Sequence, residues 1–416
     1  MRRISPIVIS RRRLLQAGTA FGFGAHALSY GAVLSYAADE ATTADKLIAG
    51  KDSRLLVHNP SRSGFEIETP YELLADDKIT PVERLFVRNN HQPSWAATLA
   101  PADEKDWKLE IGGLTEFPRT IALAALKELP SVEHELVLQC SGNGRKLFSE
   151  ASAVKGAPWL HGAMGNVRFR GVLLRDVFKK LDVRPHSSAQ FITAEGFDSP
   201  ALPDGADFEH SLPLRDALAR TILAWELNGK PLPAVHGGPL RLVTPGYYGT
   251  MHVKWLTRLR LEAEETVNHH QVKRYRTPLD PLKPGQEFDY GLENSEPNWR
   301  MRIKSVVFAP ARDAEVSAGR TLVHGVAWND GTSRIDAVEL SQDGGCTWRR
   351  AELEAPADRY AWYRWQATMT FEKGSHELIC RAVDTLGRTQ PLDGGIDWNP
   401  AGYGWHGAER VKFRAV

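Results

Sequence analysis

Cys140 stands in the run Val137-Leu138-Gln139-Cys140-Ser141-Gly142-Asn143-Gly144-Arg145, where an apolar, strand-like stretch breaks into a polar loop bearing two glycines. A thiol at such a junction can be half exposed, and the nearby Arg145 favours its thiolate, the form that attacks carbon or binds a soft metal. The competing reading is a small buried hydrophobe, because free cysteine is among the most buried residue types. Other segments carry chemistry of a different kind. Arg84-Leu85-Phe86-Val87-Arg88-Asn89-Asn90-His91 places two amides and a histidine after an apolar stretch. His236-Gly237-Gly238-Pro239-Leu240-Arg241 and Gly249-Thr250-Met251-His252-Val253-Lys254 join glycine turns to cations. Such turns suit an anionic, phosphate-bearing ligand, since backbone N–H groups approach it closely and the cations neutralise it. Taken singly each segment is weak, because an arginine after a turn is most often a solvated surface charge.

The elements that must hold these residues fall into two kinds. From Phe65 to about Pro297 the patterns are mixed. Trp107 to Ile111 alternates like a strand and ends in Gly112-Gly113, while Val172 to Leu181 has helical spacing with basic residues near its end. Leu212 to Leu227 reads as a helix running into a strand, closed by the turn Asn228-Gly229-Lys230-Pro231. The mixture predicts an α+β domain with interrupted strands. After Pro297 short alternating runs recur at Ile303–Phe308, Thr321–Trp328, Ile335–Ser341, Tyr363–Phe371 and Glu377–Val383, with Asp343-Gly344-Gly345 as a hairpin signal. That spacing predicts an all-β immunoglobulin-like sandwich over 298–416. Cys346 and Cys380 both fall in it, and are either bonded to each other or two free core thiols.

The chain has 416 residues, which predicts two cores. A net charge of +1 gives no electrostatic case for nucleic acid or an anionic membrane surface. Residues 1–37 are expected to lie outside the fold. Ser10-Arg11-Arg12-Arg13-Leu14-Leu15-Gln16 matches the twin-arginine export pattern, Ala17–Leu34 is mildly apolar, and Ser35-Tyr36-Ala37 offers a cleavage site. This predicts a signal peptide, a periplasmic destination and no membrane span in the mature chain. It also favours a bound cofactor, since twin-arginine signals usually address proteins that fold before export. Residues 38–64 are polar without apolar period and read as a tail or wrapping arm, ahead of a catalytic domain over 65–297.

In order and spacing these motifs match one family. Phe86-Val87-Arg88-Asn89, Leu138-Gln139-Cys140-Ser141-Gly142-Asn143, Asn228-Gly229-Lys230-Pro231-Leu232-Pro233, His252-Val253-Lys254-Trp255-Leu256 and Asp343-Gly344-Gly345-Cys346-Thr347-Trp348 give the chain a close resemblance to the sulfite oxidase family of molybdenum-cofactor enzymes, from about Leu85 to the end. The resemblance implies a mixed molybdopterin-binding domain followed by an immunoglobulin-like domain that forms a homodimer. It implies Cys140 as the thiolate ligand to molybdenum. Phe86, Arg88, Asn89, Asn90, Asp198, His236, Arg241, His252, Val253 and Lys254 match the pterin and phosphate contacts. Arg88, Arg145, Trp159 and Tyr275 match the substrate pocket, where two guanidinium forks would hold an oxyanion. Trp159 is equally well read as core packing.

The implied reaction is oxygen-atom transfer, in which sulfite becomes sulfate and two electrons leave one at a time. The chain has no Cys-x-x-Cys-His for a c-type haem, and three cysteines are too few for iron–sulfur clusters. No length remains for a haem or flavin domain. The expected acceptor is therefore a separate c-type cytochrome, which makes a sulfite dehydrogenase. Many relatives have histidine two residues after the pocket arginine, whereas here Asn90 takes that place and His91 follows. Either His91 swings into the same space or an amide replaces the imidazole. Alternatives within the family are a sulfane dehydrogenase or a sulfoxide or nitrate reductase. An alternative of another class is a cofactor-free binding or scaffold protein. It predicts degraded ligand positions, yet Cys140, His236, Arg241 and Lys254 are all present.

Overall fold

Strands outnumber helices throughout the computed structural model, which describes residues 42–61, 64–75, 77–199 and 206–416. The predicted signal peptide, and residues 38–41 of the predicted arm, lie outside the described residues. Residues 42–416 belong to one compact unit.

Two five-stranded sheets form the first part. One runs in the order Lys230–Pro231, Ile222–Leu227, Met164–Leu173, Ser131–Gln139, with Arg241–Val243 also paired to Ile222–Leu227. The other runs Arg119–Ala122, Lys108–Gly113, Leu256–Glu262, Phe191–Gly196, Glu209–Pro213, and its Lys108–Gly113 and Leu256–Glu262 strands are parallel. Alternation explains the second sheet: Leu109, Ile111, Leu259 and Leu261 are buried while Lys108, Glu110 and Arg258 face outward. Each such side chain contributes about 1.5–3 kcal/mol on leaving water. The helical spacing expected from Val172 holds only from Leu174, because Val172 pairs across the sheet with Ser131 and Leu223. The Leu212–Leu227 stretch divides as expected into a helix, Leu214–Arg220, and a strand, Ile222–Leu227.

The polar segment before Phe65 is no tail. A short helix, Ala44–Leu47, and a strand, Leu56–Asn59, precede Glu66–Glu68 and Val87–Arg88 in a three-stranded sheet. Ala44, Ile48 and Leu55 pack with Phe65, Ile67, Leu73, Val87 and Val235. Three apolar contacts spaced irregularly along a polar stretch leave no periodic signal, which is why the sequence pattern hides them.

The second part is the expected sandwich. One sheet orders Lys304–Ala309, Gly319–Trp328, Tyr363–Phe371, Glu352–Glu354, and the other Glu315–Val316, Glu409–Ala415, Gly374–Asp384, Ile335–Ser341, Arg349–Arg350. Val307, Val323, Val338, Trp365, Leu378 and Phe413 fill the space between them. The two cysteines here are both free: Cys380 is buried and donates to Ser305 Oγ at 3.1 Å, while Cys346 is exposed and is not a core residue.

Candidate active site

Cys140 begins the loop that follows the strand Ser131–Gln139, and it is 7% exposed, more deeply set than the half-exposed thiol the sequence suggests. Its Sγ accepts from the Gly142 N–H at 3.4 Å, and its own N–H is bonded to the Ala163 carbonyl at 2.9 Å. The loop is gripped by the sandwich at alternate residues. Trp328 Nε1 donates to Gln139 Oε1 at 2.8 Å, Gly404 N to Ser141 O at 2.8 Å, and Lys304 Nζ to Asn143 O at 3.2 Å. Arg145 Nε donates to Ala401 O at 3.0 Å, and its guanidinium lies 5.2 Å from the Tyr403 ring centre. Gly144 adopts φ +94°, and a Cβ there would lie 2.6 Å from Trp405 Cδ1. The residues between these grips leave Cys140 turned into a cavity.

Two groups of side chains line that cavity. Near Cys140, Arg88 Nη2 donates to Asn90 Oδ1 at 2.7 Å and lies 3.5 Å from the Tyr275 hydroxyl. Asn90 Nδ2 is 2.8 Å from that hydroxyl. Arg88 also pairs with Glu66 at 3.3 Å. Burial opposes the Arg88 charge, yet Tyr275, Glu66 and the Cys140 thiol outweigh it and hold its pKa above the ordinary value. Arg88 is thus a cation that couples to the thiol. The backbone is left-handed at Tyr275 (φ 54°) and at Trp255 (φ 50°), both of which line the cavity. Such conformations in bulky side chains cluster at functional sites.

The second group is a knot of buried cations. Arg241, 2% exposed, donates to His252 O at 3.2 Å and to His236 O at 2.9 Å. Lys254 Nζ donates to Asn89 Oδ1, to Arg88 O at 3.3 Å and to Val235 O at 3.2 Å. Burial, then Lys51, Lys254 and Arg241, drive His236 far below the usual histidine pKa. His252 is pushed down to about 3 by burial and Arg241, and Lys254 falls well below a normal lysine through burial and Arg241. Asp198, buried beside them, is pushed up to about 7 by burial. Like charges crowded without water lower each other's affinity for protons, and an anion placed among them reverses that. His252 donates Nε2–H to Thr244 O at 2.9 Å, and its buried Nδ1 has no partner among the described residues.

Most of the sequence-predicted residues meet here: Phe86, Arg88, Asn89, Asn90, His91, Cys140, Asp198, His236, Arg241, His252, Lys254 and Tyr275 line one cavity. Three others do not line it. Val253 turns into the core beside Leu242, since its neighbours His252 and Lys254 occupy the cavity face. Trp159 is fully buried, packed edge-on to His58 at 5.1 Å, which is the core-packing alternative. Arg145 lies beneath the Cys140 loop, against Tyr403. The Asn90 amide reaches both Arg88 and Tyr275, while His91, also on the cavity wall, packs edge-on against His270 at 5.9 Å. Sequence reasoning missed Lys51, Thr250, Phe208 and Tyr403. For Tyr403 a signal existed, an aromatic between two glycines.

The donor set fits a metal carried by an organic cofactor. Among the described residues no group of three or more His, Cys, Asp or Glu is placed to hold a metal ion. Cys140 offers one soft sulfur ligand, and a cofactor that brings its own ligands would complete the set. A pterin dithiolene with a phosphate tail would supply soft sulfur beside the thiol and negative charge among the cations.

Comparison with known proteins agrees. Residues 96–270 match the family described as oxidoreductase molybdopterin binding domain, and residues 295–410 the Mo-co oxidoreductase dimerisation domain. Mitochondrial sulfite oxidase of Rattus norvegicus is 34% identical over 369 residues, which is 86% of this chain and 65% of that protein. The chain thus spans slightly less than two thirds of that relative's length. Sulfite oxidase of Gallus gallus is 34% identical over 83% of this chain and 76% of its own. The solved sulfane dehydrogenase SoxCD of Paracoccus pantotrophus superposes with a TM-score of 0.70 at 25% identity, covering 85% of each chain. With a thiol and a cation knot lining one cavity, and two domains in the matching order, this chain belongs to the sulfite oxidase family of molybdopterin oxidoreductases.

Proposed function

We propose that the protein oxidises sulfite to sulfate at a molybdenum–molybdopterin centre anchored by Cys140. The observation that carries the reading is the opening of the Cys140 thiol beside Arg88, Asn90 and Tyr275 in the cavity that His236, Arg241, His252 and Lys254 also line. The bound cofactor would supply the oxygen-atom transfer and accept two electrons. The chain's own residues position and neutralise. The Arg88 guanidinium, kept charged, offers N–H donors to the oxygens of an oxyanion, and the Tyr275 hydroxyl offers a third donor beside it. Overall, sulfite and water become sulfate, two protons and two electrons.

The electrons pass to a separate carrier, most simply a c-type cytochrome, in the periplasm that the twin-arginine segment addresses. The dimerisation-type second part supports a homodimer. No helix of the described residues is long and apolar enough to cross a membrane. A second reading, oxidation of protein-bound sulfane sulfur, is supported by the likeness to SoxCD.

Molybdenum content and sulfite-dependent reduction of an artificial acceptor, measured in the wild type and in Cys140→Ser, test the proposal. About one metal per chain is expected, with turnover lost in the variant. Full activity of Cys140→Ser overturns the anchor. Metal without sulfite turnover moves the substrate to sulfane sulfur.

A further inference from the structure

Lys51 lies outside every motif that marks the site, yet it reaches the wall of the cavity. It is 3% exposed. Its Nζ donates to the carbonyls of Val82 at 2.6 Å and Leu85 at 2.5 Å, and sits 3.1 Å from His236 Nε2. Two carbonyl acceptors and an imidazole nitrogen, whose role depends on the tautomer, therefore surround a group that, as an ammonium, has three protons to give. Two of them belong to the turn that leads into Phe86 and Arg88, and the third to the short turn Ala234–His236. One side chain thus ties together two walls of the cavity.

We propose that Lys51 is a positioning residue for the cofactor site: by donating to Nε2 of His236 it fixes the imidazole as the Nδ1–H tautomer, which presents a donor to the anionic tail of the cofactor. An imidazole that accepts at one nitrogen carries its proton on the other. The reverse arrangement, a neutral amine accepting from Nε2–H, leaves a lone pair on Nδ1 to meet the anion and repels it. A phosphate in the knot also favours the ammonium form, whose protons suit the Val82 and Leu85 carbonyls and leave one for Nε2. The inference rests on the reading of this part of the cavity wall as the phosphate site, but it concerns a residue of the N-terminal segment.

Two measurements test it. Protein labelled with ¹⁵N-histidine, with the His236 signals assigned through His236→Gln, is expected to show a protonated Nδ1 and an unprotonated Nε2 in the wild type, and a tautomer mixture in Lys51→Met. A protonated Nε2 in the wild type, or an unchanged tautomer in the variant, overturns the proposal. Molybdenum and pterin retained per chain after gel filtration are expected to fall about tenfold in Lys51→Met, as for loss of a group that orients a ligand-binding residue. In the His236→Gln background, Lys51→Met is expected to cause no further loss, and a second, equal loss there shows that Lys51 acts elsewhere. If Lys51→Met does not fold, Lys51→Gln carries the same comparison. A wild type without molybdenum or pterin overturns the cofactor reading instead, and the tautomer measurement then decides on Lys51 alone.

Discussion

The side-chain amide of Asn90 lies 2.8 Å from the hydroxyl of Tyr275, across 185 residues of sequence, and the Arg88 guanidinium completes the triangle. The amide oxygen takes an N–H of Arg88, and the amide nitrogen holds the tyrosine. A hydrogen bond to a charged group is worth about 1.5–3 kcal/mol. Asn90→Ala is therefore expected to lower kcat/KM for sulfite by about tenfold to a hundredfold, mainly through KM, without loss of bound metal. Steady-state kinetics with metal-normalised enzyme check this, and an unchanged KM sinks it.

The cation knot should take up protons when an anion fills it. His252 and Lys254 are both driven toward their neutral forms, first by burial and then by Arg241. An anion raises each pKa, so anion binding strengthens as the pH falls. Protein produced in a host that lacks the cofactor should gain more in Tm from pyrophosphate at about pH 6 than at about pH 8. An equal gain at both counts against the assignment.

Acid should weaken the fold through buried neutral histidines. Burial pushes His210 down to about 4 and His252 to about 3. Unfolded imidazoles titrate near 6.5, so between these values the unfolded chain holds more protons and stability falls with falling pH. Urea midpoints at about pH 7 and about pH 5 should differ less in His210→Asn than in the wild type. Identical differences remove His210 from the account.

Gly144→Ala meets two obstacles, the left-handed φ of +94° and the Trp405 ring 2.6 Å from the added carbon. The backbone conformation costs about 1–3 kcal/mol and the clash a comparable amount. Reduced Tm and reduced metal content should appear together, and an unaltered Tm contradicts the packing described.

The thiols of the sandwich should behave differently from each other. Cys346 is exposed and should react with a thiol reagent in the native protein, whereas Cys380, buried and raised in pKa by burial, should react only after unfolding. A mass consistent with a Cys346–Cys380 disulfide would contradict both free thiols.

What the sequence revealed and hid follows one physical division. The sandwich strands were legible because alternation is local, and Ile335–Ser341 and Tyr363–Phe371 have the expected bounds. The cation knot was legible because unusual residue types gather at glycine turns. Roles that depend on distant partners were not. Nothing near Lys51 announces His236, and nothing near Arg145 announces that its guanidinium turns toward Tyr403 and Ala401. Val253 shows the opposite error: flanked by two cavity residues, it belongs to the core by alternation.

The alternating grip of the sandwich on Gln139, Ser141, Asn143 and Arg145 has a kinetic consequence. Cys140 cannot swing away from a bound metal while those four neighbours remain tied to the other domain. Escape of the metal then needs rupture of the metal–sulfur bond with no help from a yielding loop, so loosening the sandwich's hold on these four residues should shorten its residence time.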